Sequence, residues 1–317
     1  VEDQENLSSI PTKSIDAYQL FLRGRKEADK RTTESIAKSI EFYQKAIDLD
    51  PYYAEAYAEI ANSIFLQTYY GNADPEEAKT KAESYLEKAE KLNNKISRVY
   101  TVKGLLYNYS KQYDKAKQAF ERAIILSPND VTARHQYSTF FYYTENYEKQ
   151  LEQAEIAYKL DPLSFATASN LFTAYTSTEK YEEAEKLIDD IVKNNKERDP
   201  FIINRLYMRL YMAKPDYKKA IKPLKELADQ DENYLRILGY SYSQIGDTLN
   251  AYKVIKNIKA LPAHRLQNHR IAVVFAGLNE NDSVFYYLDT IRNKSDFFNN
   301  NRLYYFDDVK KDSRYQE

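Results

Sequence analysis

The sequence predicts an all-α, right-handed superhelical solenoid of about eight helix-turn-helix pairs. Tyr113 recurs as Tyr147 and then as Tyr181, at two equal steps along the chain. Pro128 and Pro162, each placed to end a second helix, are separated by the same step. Self-similarity at a fixed period is the signature of stacked repeats. The 317 residues can therefore form one array, because each repeat contacts only its neighbours.

The stretch from Gly104 to Pro128 indicates how one helix pair packs. Small residues such as Gly104 and Ala116 let the two helices touch, and the larger Tyr107 and Phe120 lock them together. This arrangement of small and bulky positions resembles the tetratricopeptide repeat, which has a period of about 34 residues. From it we expect a non-catalytic binding module.

The remaining elements follow in order between a linker and a terminal segment. Residues 1–14 are polar and lack helical periodicity, which is typical of a linker. In the second repeat, Asp74 and Pro75 are expected to start the second helix as N-cap and first-turn proline. Pro223 falls inside the second helix of the sixth repeat, where it can kink or break that helix.

The repeats make up a solenoid over residues 15–294, followed by a terminal segment that we expect to cap the last pair. The Asn-rich stretch 297–306 can belong to this cap or form a partner-binding strip. The predicted repeats are 15–51, 53–94, 97–128, 131–162, 165–198, 201–230, 233–262 and 265–294, and the capping segment is 295–317.

The amino-acid composition of the chain argues against several classes of function. The chain has 46 basic and 48 acidic residues and a net charge of −2, so no overall field favours nucleic acid or anionic lipid. Cysteine is absent, which excludes disulfides and thiolate chemistry. No apolar run reaches the roughly 18 residues of a membrane helix. We expect neither direct nucleic-acid binding nor membrane insertion by this segment.

No catalytic or metal-binding pattern is present. The sequence has no HExxH motif and no phosphate-cradling glycine loop. Its three histidines are His135, His264 and His269, and the last two are five residues apart, which separates them on a helix and makes a poor metal pair. We therefore expect no enzyme activity, no cofactor and no metal.

The first repeat carries a more specific resemblance. The run from Ile10 through Ile64, with Leu22-Arg23-Gly24-Arg25 and the segment AIDLDP-x2-A-x-AYA, is similar to the repeat arrays at the C-termini of certain bacterial regulators. The later KLDPLS segment is similar as well, whereas the closing Asp312-Ser313 departs from the usual Asp-Pro. In that family the array follows a winged-helix DNA-binding domain or a nucleotide-cyclase domain, often with a membrane span and a TolB-like segment between.

This resemblance implies an effector domain upstream and a sensory or docking role for the array. We expect the chain to be the soluble fragment of a longer bacterial protein, with or without a membrane anchor. Its compartment stays open between cytoplasm and periplasm. The alternative is a free-standing scaffold or assembly factor for a protein complex.

The register of the repeat places candidate binding residues on the first helix of each pair, which lines the concave groove. Tyr hydroxyls, a histidine and arginines there can hold an extended peptide, a protein segment or a small anionic or sugar-like ligand. Solvated surface is the alternative for each residue. The predicted groove residues are Arg98, Asn108, Tyr109, His135, Thr139, Tyr142, Arg205 and Arg209.

Overall fold

The computed structural model describes residues 11–71, 73–194, 199–262, 266–289, 304–307 and 309–316. These ranges contain helices and turns and no strand, so the predicted all-α array of helix pairs is confirmed. The helices are α1 Ile15–Ala28, α2 Thr33–Leu49, α3 Ala54–Tyr70, α4 Pro75–Leu92, α5 Ser97–Tyr109, α6 Tyr113–Leu126, α7 Val131–Tyr143, α8 Tyr147–Leu160, α9 Phe165–Ser177, α10 Tyr181–Asn194, α11 Pro200–Ala213, α12 Tyr217–Ala228, α13 Leu235–Gln244, α14 Thr248–Ala260, α15 Gln267–Gly277 and α16 Asn281–Asp289.

The chain divides into two compact units, one ending at Thr178 and the other beginning at Glu179. This division falls between the two helices of the predicted fifth repeat. In the first unit, consecutive helices pack in pairs, α1 with α2, α3 with α4, α5 with α6 and α7 with α8, and α9 packs on α8. In the second unit, α11 packs on α12, α13 contacts α14 and α15, and α15 packs on α16.

The turns within the pairs repeat one backbone geometry. Lys111, Glu145 and Glu179 follow one another at the repeat period and have left-handed φ values of 57°, 57° and 58°. After Lys111, the amide of Gln112 donates to the carbonyl of Tyr107 over 2.8 Å. This bond closes the helix end as in a Schellman motif. The period counted in the sequence therefore exists in the backbone as well as in the side chains.

The last residues of the predicted linker contact the first helix pair. The buried Thr12 donates its hydroxyl to the carboxylate of Asp50, at the end of α2. Ser14 caps α1 by accepting a hydrogen bond from the amide of Ala17 over 3.1 Å. Residues 1–10, the rest of that predicted linker, lie outside the described residues.

The two prolines singled out in the sequence behave differently. Asp74 caps α4, accepting from the amides of Glu76 and Glu77, and Pro75 is the first residue of that helix, as predicted. Pro223 is buried inside α12, and this helix runs without a break from Tyr217 to Ala228.

Within a pair, the two helices meet where a glycine faces an aromatic ring. A Cβ atom on Gly104 of α5 would lie 2.7 Å from the ring of Phe120 on α6. Phe120 is fully buried, and its ring stacks on Tyr137 of α7 with 5.5 Å between centroids. The first repeat has the same arrangement, with Gly24 against Tyr43. The absence of a side chain on the glycine thus sets how closely the helices approach.

The described part of the C-terminal segment packs on the second unit. Tyr305 and Phe306 are buried, and the ring of Tyr305 lies 4.5 Å from that of Tyr240 on α13. The guanidinium of Arg314 lies over the ring of Phe285 on α16, 4.5 Å from its centroid. Residues 290–303, with most of the Asn-rich stretch, are outside the described ranges, so capping by the whole of 295–317 stays a prediction.

A buried histidine lies inside the second unit. Burial, together with the nearby Arg236 and Arg270, lowers the pKa of His269 from 6.5 to about 4. Arg270 is itself buried and donates to Glu232 over 2.7 Å. His264, the other histidine of the predicted poor metal pair, lies outside the described residues.

Gly104→Ala should lower the free energy of unfolding by about 1–3 kcal/mol, because the new methyl group overpacks the contact with Phe120. Urea denaturation measures the loss. A double variant that adds Phe120→Leu should lose less than the sum of the two single losses, because a smaller side chain makes room for the methyl group. A Gly104→Ala chain as stable as the parent would contradict the packing described above.

The stability of the second unit should fall as the pH drops from 6.5 towards 4. The unfolded chain binds a proton at His269 near pH 6.5, whereas the folded chain resists it until about pH 4, so protonation favours unfolding. Between pH 7 and pH 5 the loss should be on the order of 2 kcal/mol. Thermal melts of the parent and of His269→Gln measure the difference, and an equal pH dependence in both proteins would show that His269 is not its source.

Candidate functional site

A cavity of about 380 Å³ opens between α7, α8 and α9 of the first unit. Three consecutive helices form its wall. Two of them belong to repeat four and the third to repeat five, so no single repeat forms the cavity alone. The lining residues are His135, Thr139 and Tyr142 from α7, Gln150 from α8, and Phe165, Ala166, Ser169, Asn170 and Thr173 from α9.

Local helix geometry brings the α7 residues together. His135, Thr139 and Tyr142 are spaced by four and three residues, which places them on one face of a helix. Asp130 fixes the start of α7 by accepting a hydrogen bond from the amide of Ala133 over 3.0 Å. The hydroxyl of Thr139 donates to the carbonyl of His135 over 3.0 Å, so these two residues are held in a defined arrangement.

The helix α8 contributes one polar residue to the lining, and it is fully buried. Neither the nitrogen nor the oxygen of the Gln150 side-chain amide has a hydrogen-bond partner among the described residues. Its backbone carbonyl accepts a hydrogen bond from the buried hydroxyl of Ser138 over 2.9 Å, which ties α8 to α7. A buried polar group without a partner costs free energy, and this one lies at a cavity.

Asn170 adds a second unpaired group from α9. Its Nδ2 donates to the hydroxyl of Thr139 over 3.4 Å, whereas its buried Oδ1 has no partner within the part of the chain that the structure describes. Gln150 and Asn170 therefore present two carbonyl oxygens and one amide nitrogen whose hydrogen-bonding capacity is unused. Together with the rings of Tyr142 and Phe165, they give the cavity apolar walls and a few convergent polar groups, as small-ligand sites have.

The cavity is electrically neutral near pH 7. Its described lining contains no Asp, Glu, Lys or Arg side chain, and its one histidine is His135. Burial, and then the positive charge of Arg31, lowers the pKa of His135 below its ordinary value of 6.5. The imidazole is therefore uncharged at neutral pH, and an uncharged ligand suits the site better than an ion.

The structure brings together three of the eight predicted groove residues. His135, Thr139 and Tyr142 line this cavity, and the other five lie elsewhere. Arg205 and Arg209 are exposed on α11 in the second unit. Asn108 is half-buried on α5, and the partly exposed ring of Tyr109 contacts Phe65 edge-on with 5.5 Å between centroids. Binding by any of them stays a prediction.

Arg98 already has a protein partner. Its Nη2 donates to Glu59 Oε2 over 2.9 Å, and its Nε lies 2.9 Å from Oε1 of the same carboxylate. Burial opposes the charge of Arg98, but the charge and hydrogen bond of Glu59 outweigh it and raise the pKa of the guanidinium. This pair joins α3 to α5, so Arg98 contributes to packing between repeats in this structure.

Gln150 was missed by reasoning from the groove register, because that register considers only first helices. A signal was nevertheless present in the sequence. One repeat period before and after Gln150 stand Ala116 and Ala184, and two periods before it stands Ala82. All three alanines are buried. In repeat four a polar amide thus occupies a position that is small and apolar in its neighbours.

Across the described ranges, no three or more His, Asp or Glu side chains are grouped so that they could hold a metal ion. No helix there is both long and apolar enough to cross a membrane.

Comparison with known proteins identifies the repeat and a distant relative. A family profile described as tetratricopeptide repeat matches residues 97–130. The transcriptional regulator HilA of Salmonella typhimurium is 23% identical over 242 residues, which cover 76% of this chain and 43% of the relative. The chain thus matches less than half the length of this curated relative.

Two solved structures are similar in fold. PilW, described as a widely conserved type IV pilus biogenesis factor, has a TM-score of 0.53 and 18% identity, covering 65% of this chain and 92% of PilW. Yeast Tom70 has a TM-score of 0.51 and 15% identity, covering 88% of this chain and 60% of Tom70. At these identities the similarity shows the fold alone.

Gln150→Met should raise the free energy of unfolding by about 1 kcal/mol, because an apolar side chain of similar length replaces an unpaired buried amide. The matched control is Gln153→Met, one turn later on α8. Gln153 is also buried, but its Oε1 accepts from Arg134 over 2.7 Å, so its loss should destabilise the chain. Urea denaturation of both variants gives the two signs. A destabilised Gln150→Met would mean that the amide has bonding partners in the free protein.

Proposed function

We propose that this chain, an array of tetratricopeptide-like repeats, is a non-catalytic interaction module that binds a segment of a partner protein at the cavity of repeats four and five. Proteins of this fold are generally binding scaffolds rather than enzymes. The observation that carries the proposal is the pair of unpaired amides, Gln150 and Asn170, at a cavity with aromatic walls. Apolar walls supply affinity, and the few polar groups fix the orientation of what is bound.

An extended peptide segment matches the position of the site. The cavity is lined by α7 and α9, the first helices of two successive repeats, and a segment crossing it would contact both. One side of the contact would consist of His135, Thr139 and Tyr142, which the repeat register predicts to line the groove. When an extended peptide binds along such a surface, separate pockets take its individual side chains.

A finer proposal is that the array is the sensory or interaction region of a bacterial transcription or signalling regulator. Support comes from the similarity to the transcriptional regulator HilA over 76% of the chain and from the regulator-like run at residues 10–64. An effector domain would then lie upstream. Occupancy of the cavity would change the position or assembly of that effector only if the ligand binds two conformations of the array with unequal affinity.

The alternative is a free-standing scaffold or assembly factor without an effector. PilW is a protein of similar fold that is described as a biogenesis factor. The gene separates the two hypotheses. An in-frame winged-helix or cyclase domain upstream of Val1 supports the regulator, whereas a signal peptide directly before Val1 supports the free-standing factor.

Peptides selected from a random display library against the chain should bind at the cavity. Ala166 is an exposed residue of the lining, and Ala166→Trp should weaken binding of these peptides by about tenfold or more, because the indole would occupy the cavity and prevent its central contacts. Fluorescence anisotropy measures the dissociation constants. Ala260→Trp is the matched control, since Ala260 is also exposed and helical but belongs to the second unit, and it should leave binding unchanged. Equal binding by both variants would move the site away from the cavity.

A further inference from the structure

Gln150 is a buried position at which repeat four departs from the neighbouring repeats. The equivalent residues Ala82, Ala116 and Ala184 bury a single methyl group, which leaves no polar side-chain atom to satisfy. Gln150 buries a whole amide at the same place, and neither end of that amide has a partner among the described residues. Natural sequences break a local rule of this kind at functional sites, so the amide calls for a bonding partner from outside the chain.

The unused groups define the ligand they would take. Gln150 Oε1 and Asn170 Oδ1 accept hydrogen bonds, and Gln150 Nε2 donates them. A complementary group must therefore offer at least two donors and one acceptor in a small space. A primary carboxamide has this set, since its NH₂ carries two donors and its oxygen accepts.

We propose that the cavity recognises an uncharged primary carboxamide, the group at the end of an asparagine or glutamine side chain of the partner. The ligand NH₂ would donate to Gln150 Oε1 and Asn170 Oδ1, and its oxygen would accept from Gln150 Nε2. This inference rests on the proposed binding of a protein segment and names the side chain that the segment inserts.

Charge and size both support this choice. A carboxylate would find no cation among the lining residues, although the charge of Arg31 acts on His135 from outside the lining, and an ammonium group would find no anion there. An ion would therefore lose hydration with little compensation. The cavity of about 380 Å³ is much larger than the space that a single water molecule needs. It has room for an amide side chain with part of its backbone.

Contact with these atoms requires a local adjustment. The unpaired atoms of Gln150 and Asn170 expose almost no surface, so a ligand reaches them after a neighbouring side chain has turned. Rotamer changes of this kind are common when an interface forms. Tyr142 is a half-buried side chain in the same lining.

The test uses two small probes of the same shape and different charge. N-acetylglutamine methylamide carries the carboxamide, and N-acetylglutamate methylamide replaces its NH₂ by a charged oxygen. Each is titrated into the ¹⁵N-labelled 317-residue chain, with glucose as an uncharged hydroxyl-bearing comparison. The glutamine probe should shift backbone resonances of residues 135–173 in a saturable manner, and the glutamate probe should need at least about tenfold higher concentrations, since one lost or mismatched hydrogen bond is worth that much.

Variants assign the effect to the amide. Gln150→Met should abolish the response to the glutamine probe while the rest of the spectrum shows a folded chain. Gln153→Met, on the same helix and outside the cavity, should respond like the parent. Equal responses to the glutamine and glutamate probes, a response to glucose alone, or an unchanged response in Gln150→Met would each overturn the carboxamide assignment.

The same outcomes separate this inference from the proposed function. Library-selected peptides that lose binding on Ala166→Trp but contain no asparagine or glutamine would keep the cavity as a protein-binding site and reject the carboxamide. Selected peptides that do contain one should lose at least about tenfold in affinity when it is changed to the matching acid, because a charge then enters a neutral cavity.

Discussion

The contact between Gly104 and the ring of Phe120 is the constraint on which the described architecture of the first unit depends. It lets α5 approach α6 closely, and the same ring then contacts Tyr137 on α7. The backbone of the intervening turn is fixed by the left-handed Lys111. Because each repeat is built on the previous one, this packing positions α7, which carries one wall of the cavity.

The cavity exists at a cost to stability that the neighbouring repeats avoid. Ala116 and Ala184 fill the equivalent position with a methyl group, whereas Gln150 places an unpaired amide there. The neutral imidazole of His135 and the absence of charge in the described lining keep the surroundings suited to an uncharged group. Stability is commonly given up where a protein needs to bind something, and the unpaired amides of Gln150 and Asn170 lie together at one cavity.

Much of the fold could be predicted from the sequence, because the repeat imposes a period that can be counted. The start of α4 at Asp74 and Pro75 and the common face of His135, Thr139 and Tyr142 follow from local rules. The pairing of Arg98 with Glu59 could not be predicted, because it joins residues 39 positions apart in different repeats. The unpaired state of Gln150 was also hidden, since the satisfaction of a buried group depends on three helices at once.

The most direct measurement is the ¹⁵N–¹H resonance pair of the Gln150 side-chain amide, assigned by its disappearance in Gln150→Met. In the free chain, its two protons should have the shifts of an amide without a strong acceptor. With the glutamine probe at saturation, at least one proton should move downfield and exchange more slowly with water, because it now donates to the bound carboxamide. Protons that already show a strong hydrogen bond in the free chain, or that do not change when the probe binds, would contradict the role assigned to Gln150.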